Sequence, residues 1–495
     1  MVKLNHHKTT KHTKDGEKIM RNKCVQMSLS DIYNGVSQSM EEHKPELIQL
    51  LEEHLDFDSL IPASFKFAFY QFNGRKHIYH LESFIRALTL QKLLGIPTDK
   101  LLITILKTSA ELRDFCGFVK VPDASQFTRF RQNYCDQLKT MFEYLVDVTE
   151  PICREIDAKK ADYLIYDTTG IELPVSENNP KFMSEKLQQA KKIAKGNPDY
   201  DPYRGVYSLL PDISKSNPDA KQQHINGHFC YALKLGILSN GLGIPRHIEF
   251  FDDDFKQKYP DIVAPKSDSP DVDKEIGDST SLKPVLSDFF AAHPHLSFKT
   301  FIGDSAFDSY QNYSILMNDF NFERACIPLN ARNSKTSGVS YAAFDKNGTP
   351  VCPADGTPFT FLGKSGGKNR SPRFKWVCPC SVQIGCKRIC TCEHPCTDSP
   401  YGRCVYTYPD KNLRFYPGIP RGTQHWDNLY RHRVTIERTI NLLKDTFVLD
   451  SRCSHRSVSA KADTYLAAIT QLIGVILADA LHKPNLFKSL RKLIA

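Results

Sequence analysis

The chain has 495 residues, of which 41% are hydrophobic and 11% aromatic, and its formal net charge is +9 at pH 7. This composition excludes a disordered chain and predicts two or three domains with sizeable cores. The positive charge favours a polyanionic partner such as nucleic acid, although a basic enzyme of another class would have the same charge balance.

The two ends of the chain carry no pattern of secretion or membrane anchoring. Residues 1–27 predict a basic, flexible tail, because the segment Met1–Lys23 is rich in His, Lys and Thr and has no apolar run. Tyr465–Leu481 is apolar but short for a bilayer and contains Gln471 and Asp479, so it predicts a buried helix. The 15 cysteines, without a secretion signal, favour reduced thiols, and we expect a cytoplasmic protein with no membrane partner.

Residues 28–150 predict an all-helical domain. Apolar residues recur at near-helical intervals between positions 81 and 112. Asp123 then precedes a helix that carries Arg129 and Arg131. A small DNA-binding domain with both arginines directed at DNA has this pattern, and so does a helical bundle with no such role.

In residues 151–320 the pattern changes to short strands. Tyr163–Tyr166 predicts a strand that ends at Asp167, and Phe298–Ile302 predicts another that is followed closely by Asp304. Strands followed by a return to helices indicate a mixed α/β core.

A hairpin is predicted within the same region. Phe229–Leu238 and Ile244–Phe251 alternate as strands do, and Asn240-Gly241 is a typical turn between them. Lys234 on the first strand could reach a DNA backbone, or its stem could simply extend along the sheet to solvent. The lysine-rich stretch from Pro174 to Asn226 fits either a DNA-facing lid or a solvated loop.

Residues 321–420 form a different segment, rich in Gly, Pro and Cys, which we interpret as an insertion. Eight cysteines cluster in it: Cys352, Cys378, Cys380, Cys386, Cys390, Cys392, Cys396 and Cys404. Four of them could hold a structural Zn²⁺, with Cys352, Cys378, Cys380 and Cys386 as the candidate set. The segment has no Cys-x-x-Cys pair, so reduced structural thiols or another metal are equally open.

Residues 421–495 predict helices, and one of them carries a group of polar side chains on one face. At 100° per residue, Tyr430, Arg433, Glu437 and Lys444 fall within a wedge of about 60°. A separate apolar stripe that includes Ile436 would anchor this helix to a core. The alternative is a solvated amphipathic helix whose charges only balance one another.

The arrangement Tyr-(2)-Arg-(3)-Glu-(6)-Lys in residues 430–444 is the signature of insertion-sequence-4-type DDE transposases, and this chain resembles that family. The segments around Asp167 and Asp304 look like the family's first and second Asp motifs. The resemblance implies an α/β fold with a ribonuclease-H-like mixed-sheet catalytic core, interrupted by the Cys-rich insertion and preceded by the all-helical amino-terminal domain. Asp167 and Asp304 would come from neighbouring strands, and Glu437 from a helix.

The three acidic residues are the residue types that phosphodiester chemistry with metal ions requires. In-line attack on a phosphodiester is served by two Mg²⁺ (or Mn²⁺) ions about 4 Å apart, and such hard cations prefer carboxylate oxygens. We therefore expect Asp167, Asp304 and Glu437 to be both the catalytic residues and the metal ligands.

The remaining residues of the signature are expected to contact DNA. Arg433 and Lys444 would bind phosphate oxygens, and Tyr430 would donate a hydrogen bond to phosphate. Trp426, just before the signature, either stacks on an unpaired base or packs in the core.

The resemblance implies an enzyme of a mobile element that cleaves insertion-sequence ends and transfers the freed strand into target DNA. Its partners would be the double-stranded terminal inverted repeats and target DNA, bound by a homodimer in a synaptic complex associated with the nucleoid. Two alternatives remain open. One is a ribonuclease-H-like nuclease without strand transfer, and the other is a non-catalytic, zinc-stabilised DNA-binding protein derived from a transposase.

Overall fold

The computed structural model describes residues 46–70, 77–197, 199–225, 228–264, 275–330, 344–367, 370–409, 412–451 and 455–488. The predicted tail, 1–27, lies outside the described residues. In the described part the chain is a mixed α/β protein with one curved mixed sheet and many helices.

Short helices and one long helix form the amino-terminal part of the described chain. They are α1 (Glu46–His54), α2 (Ala63–Phe69), α3 (Leu81–Leu93), α4 (Asp99–Thr108), α5 (Ala110–Phe115), α6 (Ala124–Asn133) and α7 (Cys135–Ala161). The predicted start of α6 is confirmed, because the Asp123 side chain accepts hydrogen bonds from the backbone of Ser125 and Gln126. Helix α7 continues through residue 150, the predicted end of this region.

The main sheet is built from β1 (Tyr163–Glu172), β2 (Lys221–Ile225), β3 (His228–Asn240), β4 (Pro245–Phe250), β5 (Thr300–Ile302) and β6 (Arg324–Cys326). The strand order is β2-β3-β1-β5-β6, and β4 also pairs with β3. Strand β3 runs antiparallel to β1, β2 and β4, whereas β5 is parallel to β1 and β6 is parallel to β5. The sheet thus has an antiparallel half and a parallel half that meet at β1.

The predicted hairpin is confirmed in β3 and β4. The Asn240 side chain accepts hydrogen bonds from the backbone nitrogens of Leu242 and Ile244, which fixes the turn. Gly241 approaches α7 closely, since an added Cβ would lie 2.7 Å from the Lys160 carbonyl oxygen. The sequence Asn-Gly therefore matches both the turn and its packing.

Helices connect the strands of the main sheet: α8 (Pro180–Gly196), α9 (Pro202–Gly205), α10 (Asp253–Lys258), α11 (Asp278–Ala292) and α12 (Tyr310–Ser314). The lysine-rich stretch after Pro174 is largely helical rather than a loop, because α8 occupies most of its first half.

The Cys-rich segment forms small sheets of its own. Strands β7 (Thr360–Gly367), β8 (Arg370–Val377) and β11 (Cys404–Thr407) make a three-stranded sheet, and β9 (Ser381–Ile384) pairs with β10 (Lys387–Cys390). A separate apolar cluster around Phe374 and Trp376 stabilises them. Strand β6 lies within the predicted bounds 321–420 but pairs in the main sheet.

The carboxy-terminal part consists of α13 (Gln424–Tyr430), α14 (Val434–Asn441) and α15 (Ser457–Ala480). By length and composition α15 could cross a membrane, but 89% of its most apolar window is buried inside the protein. It packs against α7, α6 and α3, so the prediction of a buried helix at Tyr465–Leu481 is confirmed.

Buried charges join the two ends of the described chain. The Arg131 guanidinium on α6 lies 2.9 Å from a carboxylate oxygen of Asp99 and 2.9 Å from one of Asp463 on α15. Lys92 on α3 lies 3.3 Å from the same Asp463 oxygen. Lys92, Arg131 and Asp463 are at most 1% exposed, so this is an interior ion network between the amino-terminal helices and the last long helix.

Candidate active site

The two predicted aspartates lie side by side on neighbouring parallel strands. Ile165 of β1 pairs with Ile302 of β5, and each aspartate follows two residues later in its own strand direction. Asp167 is inside β1, which runs on to Glu172, so the prediction that this strand ends at the aspartate is wrong. Asp304 follows β5 and caps a short 3-10 turn by accepting a hydrogen bond from the Ala306 nitrogen at 2.8 Å.

Glu437 is brought to the same place by α14, which packs on β1 and β3. Ile436 is fully buried and Glu437 is 45% exposed, so the apolar side of the helix faces the sheet and the carboxylate faces outward beside it. The Thr439 hydroxyl donates a hydrogen bond to the Gly243 carbonyl at 3.0 Å, which fastens the helix to the β3–β4 turn. The three predicted acidic residues therefore converge.

One guanidinium contacts all three carboxylates. Arg433 Nη2 lies 3.4 Å from Asp167 Oδ2 and 3.9 Å from Asp304 Oδ2, and Nη1 donates to Glu437 Oε1. Burial alone would lower the pKa of Arg433, but Asp167 and Glu437 raise it above its ordinary value. Negative charge from three separate elements is thus concentrated around one cation.

Asp167 is the most strongly perturbed of the three acids. The pKa of its carboxyl is raised from 3.8 to about 6, mainly by burial, and the nearby Asp304 and Asp278 contribute to the rise. Arg433 and a hydrogen bond from the Thr168 nitrogen oppose this rise. A carboxylate held in a costly environment is typical of functional sites, where an added cation would relieve the cost.

Asp278 is a neighbour that the sequence analysis missed. At the start of α11, its Oδ1 accepts a hydrogen bond from the Thr168 hydroxyl at 2.7 Å and lies 2.7 Å from Lys234 Nζ. It follows Gly277 as an ordinary first helical residue, so no local pattern marks it. Lys234 also donates to the Ile276 carbonyl and is 11% exposed, which corrects the expectation that it contacts DNA.

Tyr430 and Trp426 stack on each other along α13. Their ring centroids are 4.8 Å apart with an interplanar angle of 15°. Burial raises the pKa of Tyr430, and its environment includes Arg433 and Asp304. Trp426 packs on the main core, and its indole nitrogen is buried without a hydrogen-bond partner among the described residues. Of the two interpretations of Trp426, stacking on a base or packing in the core, its position in the structure fits packing.

Lys444 is buried, with 5% exposure, and does not extend the polar face of Glu437. The predicted wedge assumed a uniform α-helix. The chain instead forms a 3-10 turn at Arg431–Arg433 and a π-helical turn at Leu442–Thr446, and these segments advance by different angles per residue. Lys444 lies inside this π-helical turn and is buried, and its contact with phosphate stays a prediction.

The two arginines of α6 have different surroundings. Arg129 is exposed and donates to the Ser125 hydroxyl at 2.7 Å. Arg131 belongs to the interior ion network with Asp99 and Asp463 and is 1% exposed. The expectation that Arg131 contacts DNA is therefore wrong, because its guanidinium neutralises buried carboxylates.

The predicted zinc set is brought together only in part. Cys352 and Cys378 are buried in one cluster with Cys380 and Cys396 packed against it, whereas Cys386 is exposed between β9 and β10. Cys386 therefore lies outside this cluster, and zinc binding by the set stays a prediction. Over the residues that the structure describes, no group of three or more His, Cys, Asp or Glu side chains is arranged to hold a metal ion.

Comparisons with known proteins give one family model and similar solved structures. Comparison with curated proteins gives no match. Among solved structures, a piggyBac transposase synaptic complex with hairpin DNA is similar over 92% of this chain and 80% of that chain, at 10% identity and a TM-score of 0.36. A family model described as "Transposase domain (DUF772)" matches residues 37–133. Residues 37–133 are thus similar to this transposase domain.

Proposed function

We propose that this chain is a DDE transposase that cleaves the ends of an insertion sequence and joins them to target DNA. The observation that carries the proposal is the convergence of Asp167, Asp304 and Glu437 on the Arg433 guanidinium. The transposase-domain match at residues 37–133 supports the same class of protein.

The strand order supports a ribonuclease-H-like core. Three antiparallel strands, β4-β3-β1, continue into two parallel strands, β5-β6, and the acidic residues come from β1, the end of β5 and a later helix. This is the arrangement that the resemblance in residues 430–444 implies.

Asp167, Asp304 and Glu437 are of the residue type that divalent cations bind, and among the described residues they surround Arg433 rather than form a cluster of metal ligands. Three carboxylates lie within 4.0 Å of a single guanidinium, so their charges already meet around one positive group. Two Mg²⁺ or Mn²⁺ ions bound by these oxygens would supply an activated oxygen nucleophile and neutralise the leaving oxygen. Asp167, Asp304 and Glu437 would hold them.

The other residues of the site act on the DNA strand. Arg433 can exchange carboxylate oxygens for a phosphate, which presents similar paired oxygens to a guanidinium fork. Tyr430 lies one turn before Arg433, and its hydroxyl would donate to a neighbouring phosphate oxygen. Double-stranded element ends and target DNA, bound by a synaptic homodimer in the nucleoid, are the partners we propose for this chemistry.

A strand-transfer assay with Mg²⁺ tests the proposal, with DNA from the inverted repeats that bracket the coding region. Glu437→Gln should lower cleavage on the order of a thousand-fold, since a lost metal ligand removes several kcal/mol of stabilisation. DNA affinity should change little, because this carboxylate holds metal rather than phosphate. The matched control is Glu155→Gln, which removes an exposed carboxylate on α7.

Each product pattern has one meaning. Joined products in the wild type support a transposase, cut products alone support a nuclease without strand transfer, and retention on DNA without cutting supports a non-catalytic DNA-binding protein. Equal cleavage by the wild type and Glu437→Gln would contradict the proposed role of the carboxylate triad.

A further inference from the structure

A basic cavity lies between the main sheet and the three-stranded sheet. Its volume is about 310 Å³. One wall carries Arg324 of β6, the opposite wall carries Phe361 and Lys364 of β7, and the start of α13 closes it with Thr423 and His425. Both β6 and β7 are edge strands, so the cavity is where the two sheets face each other.

The cationic groups of this cavity are not fully neutralised. Partial burial lowers the pKa of Lys364, and the neighbouring Arg324 lowers it further. Burial also lowers the pKa of His425, followed by the effects of Arg324, Lys159 and Lys364. Both lowered pKa values indicate a positive potential from Arg324 and the neighbouring lysines, which attracts an anion.

Glu323 compensates for this charge only in part. Its carboxylate lies 3.5 Å from Arg324 Nη2 and 3.9 Å from Lys299 Nζ, so two cations share one acid. The Glu323 side chain is 54% exposed, and solvent screens such a contact.

The wall beside the cavity is held in place by the backbone. The Ala325 nitrogen donates to the Pro417 carbonyl at 2.9 Å, so the segment before α13 is attached to the edge of β6. Gly418 has φ +75°, and a Cβ added there would lie 1.9 Å from the Glu323 carbonyl oxygen. This contact requires glycine, and it fixes the distance between the segment and β6.

We propose that this cavity binds a phosphodiester group of a DNA backbone. Arg324 and Lys364 would contact the phosphate oxygens, and Phe361 would provide an apolar surface for the adjoining sugar. DNA as the source of the phosphodiester rests on the proposed function, whereas the affinity for an oxyanion rests on the cavity alone.

Helical geometry gives the distance between His425 at the cavity and Arg433 at the acidic triad. His425 stands near the start of α13, and Arg433 ends the 3-10 turn that follows it. The helical rises give about 13 Å between these two residues. This is the length of about four base pairs, so a backbone that ran along α13 from Arg433 would reach the cavity about four base pairs away.

The test is the salt dependence of DNA binding, measured by fluorescence anisotropy with a 30-base-pair duplex of arbitrary sequence in EDTA. Lys364→Gln removes one cation from an exposed position. Loss of one phosphate contact should reduce the slope of log K against log salt by about 0.9. Lys387→Gln, an exposed lysine on β10 of the same segment, is the matched control and should leave the slope unchanged.

A second arm identifies the source of the anion. Inorganic phosphate at constant ionic strength should compete with the duplex for the wild type and less for Lys364→Gln. An unchanged slope for Lys364→Gln overturns the proposal, and so does the same decrease in both variants. Thermal stabilisation by phosphate without any effect on the DNA slope overturns DNA as the ligand. Binding in EDTA involves no cleavage, so failure of the metal chemistry would leave this result standing.

Discussion

Neutralising Asp167 should stabilise the folded chain at neutral pH when metal and DNA are absent. Burial raises the pKa of this carboxyl from 3.8 to about 6, and its side chain is only 20% exposed. Because the pKa is higher in the folded chain than in the unfolded chain, the proton favours the folded state. The cost of the charged carboxylate is absent below about pH 4 and fully developed above about pH 6.

The size of the expected stabilisation follows from the difference in the pKa of Asp167 between the folded and unfolded chains. A pKa difference of about 2 corresponds to at most about 3 kcal/mol. For a chain of 495 residues, an unfolding entropy of about 2.1 cal/mol/K per residue converts this to an increase in Tm of about 2–3 °C. Asp167→Asn should therefore raise Tm by this amount at pH 7.5.

The assay is thermal unfolding in EDTA from pH 4 to pH 8. Asp304→Asn is the matched control and should give a smaller gain, because that side chain is 35% exposed and asparagine can replace aspartate as a cap. The gain from Asp167→Asn should vanish near pH 4. A gain of the same size at both ends of the pH range, or none at pH 7.5, would refute the argument.

Two further predictions concern the packing described above. Arg131→Met should lower the free energy of unfolding by about 3–5 kcal/mol, because it leaves Asp463 and Asp99 without this partner in the interior. The control Arg129→Gln should change it by no more than about 0.5 kcal/mol. Urea unfolding measures both variants, and equal effects would contradict the assignment of Arg131 to the interior. Gly418→Ala should be more destabilising than Gly356→Ala by about 2 kcal/mol. Both residues have positive φ, but only the Cβ added at Gly418 would meet backbone, at 1.9 Å. Equal losses of unfolding free energy in the same experiment would contradict the close approach of Gly418 to Glu323.

Local patterns in the sequence predicted local structure well. Asp123 caps α6 and Asn240-Gly241 turns the hairpin, and in both places the decisive hydrogen bonds join residues at most four positions apart. The convergence of Asp167, Asp304 and Glu437 was expected from the resemblance in residues 430–444, not from local patterns. Their spacing in the chain is too wide for periodicity to relate them.

The incorrect expectations share one physical cause. Arg131 and Lys234 each have an ion-pair partner far away in the chain, Asp463 and Asp278, which no local pattern reveals. A cationic side chain in a basic sequence is therefore a poor guide to DNA contact until its partners are known.

The interior ion network has a consequence for the order of events during synthesis. Lys92 and Arg131 belong to the early helices, but their shared acid, Asp463, is synthesised much later, 332 residues after Arg131. Until then the early helices lack both this countercharge and the apolar surface of α15. The amino-terminal helices therefore acquire this part of their ion network and core only after α15 has been synthesised.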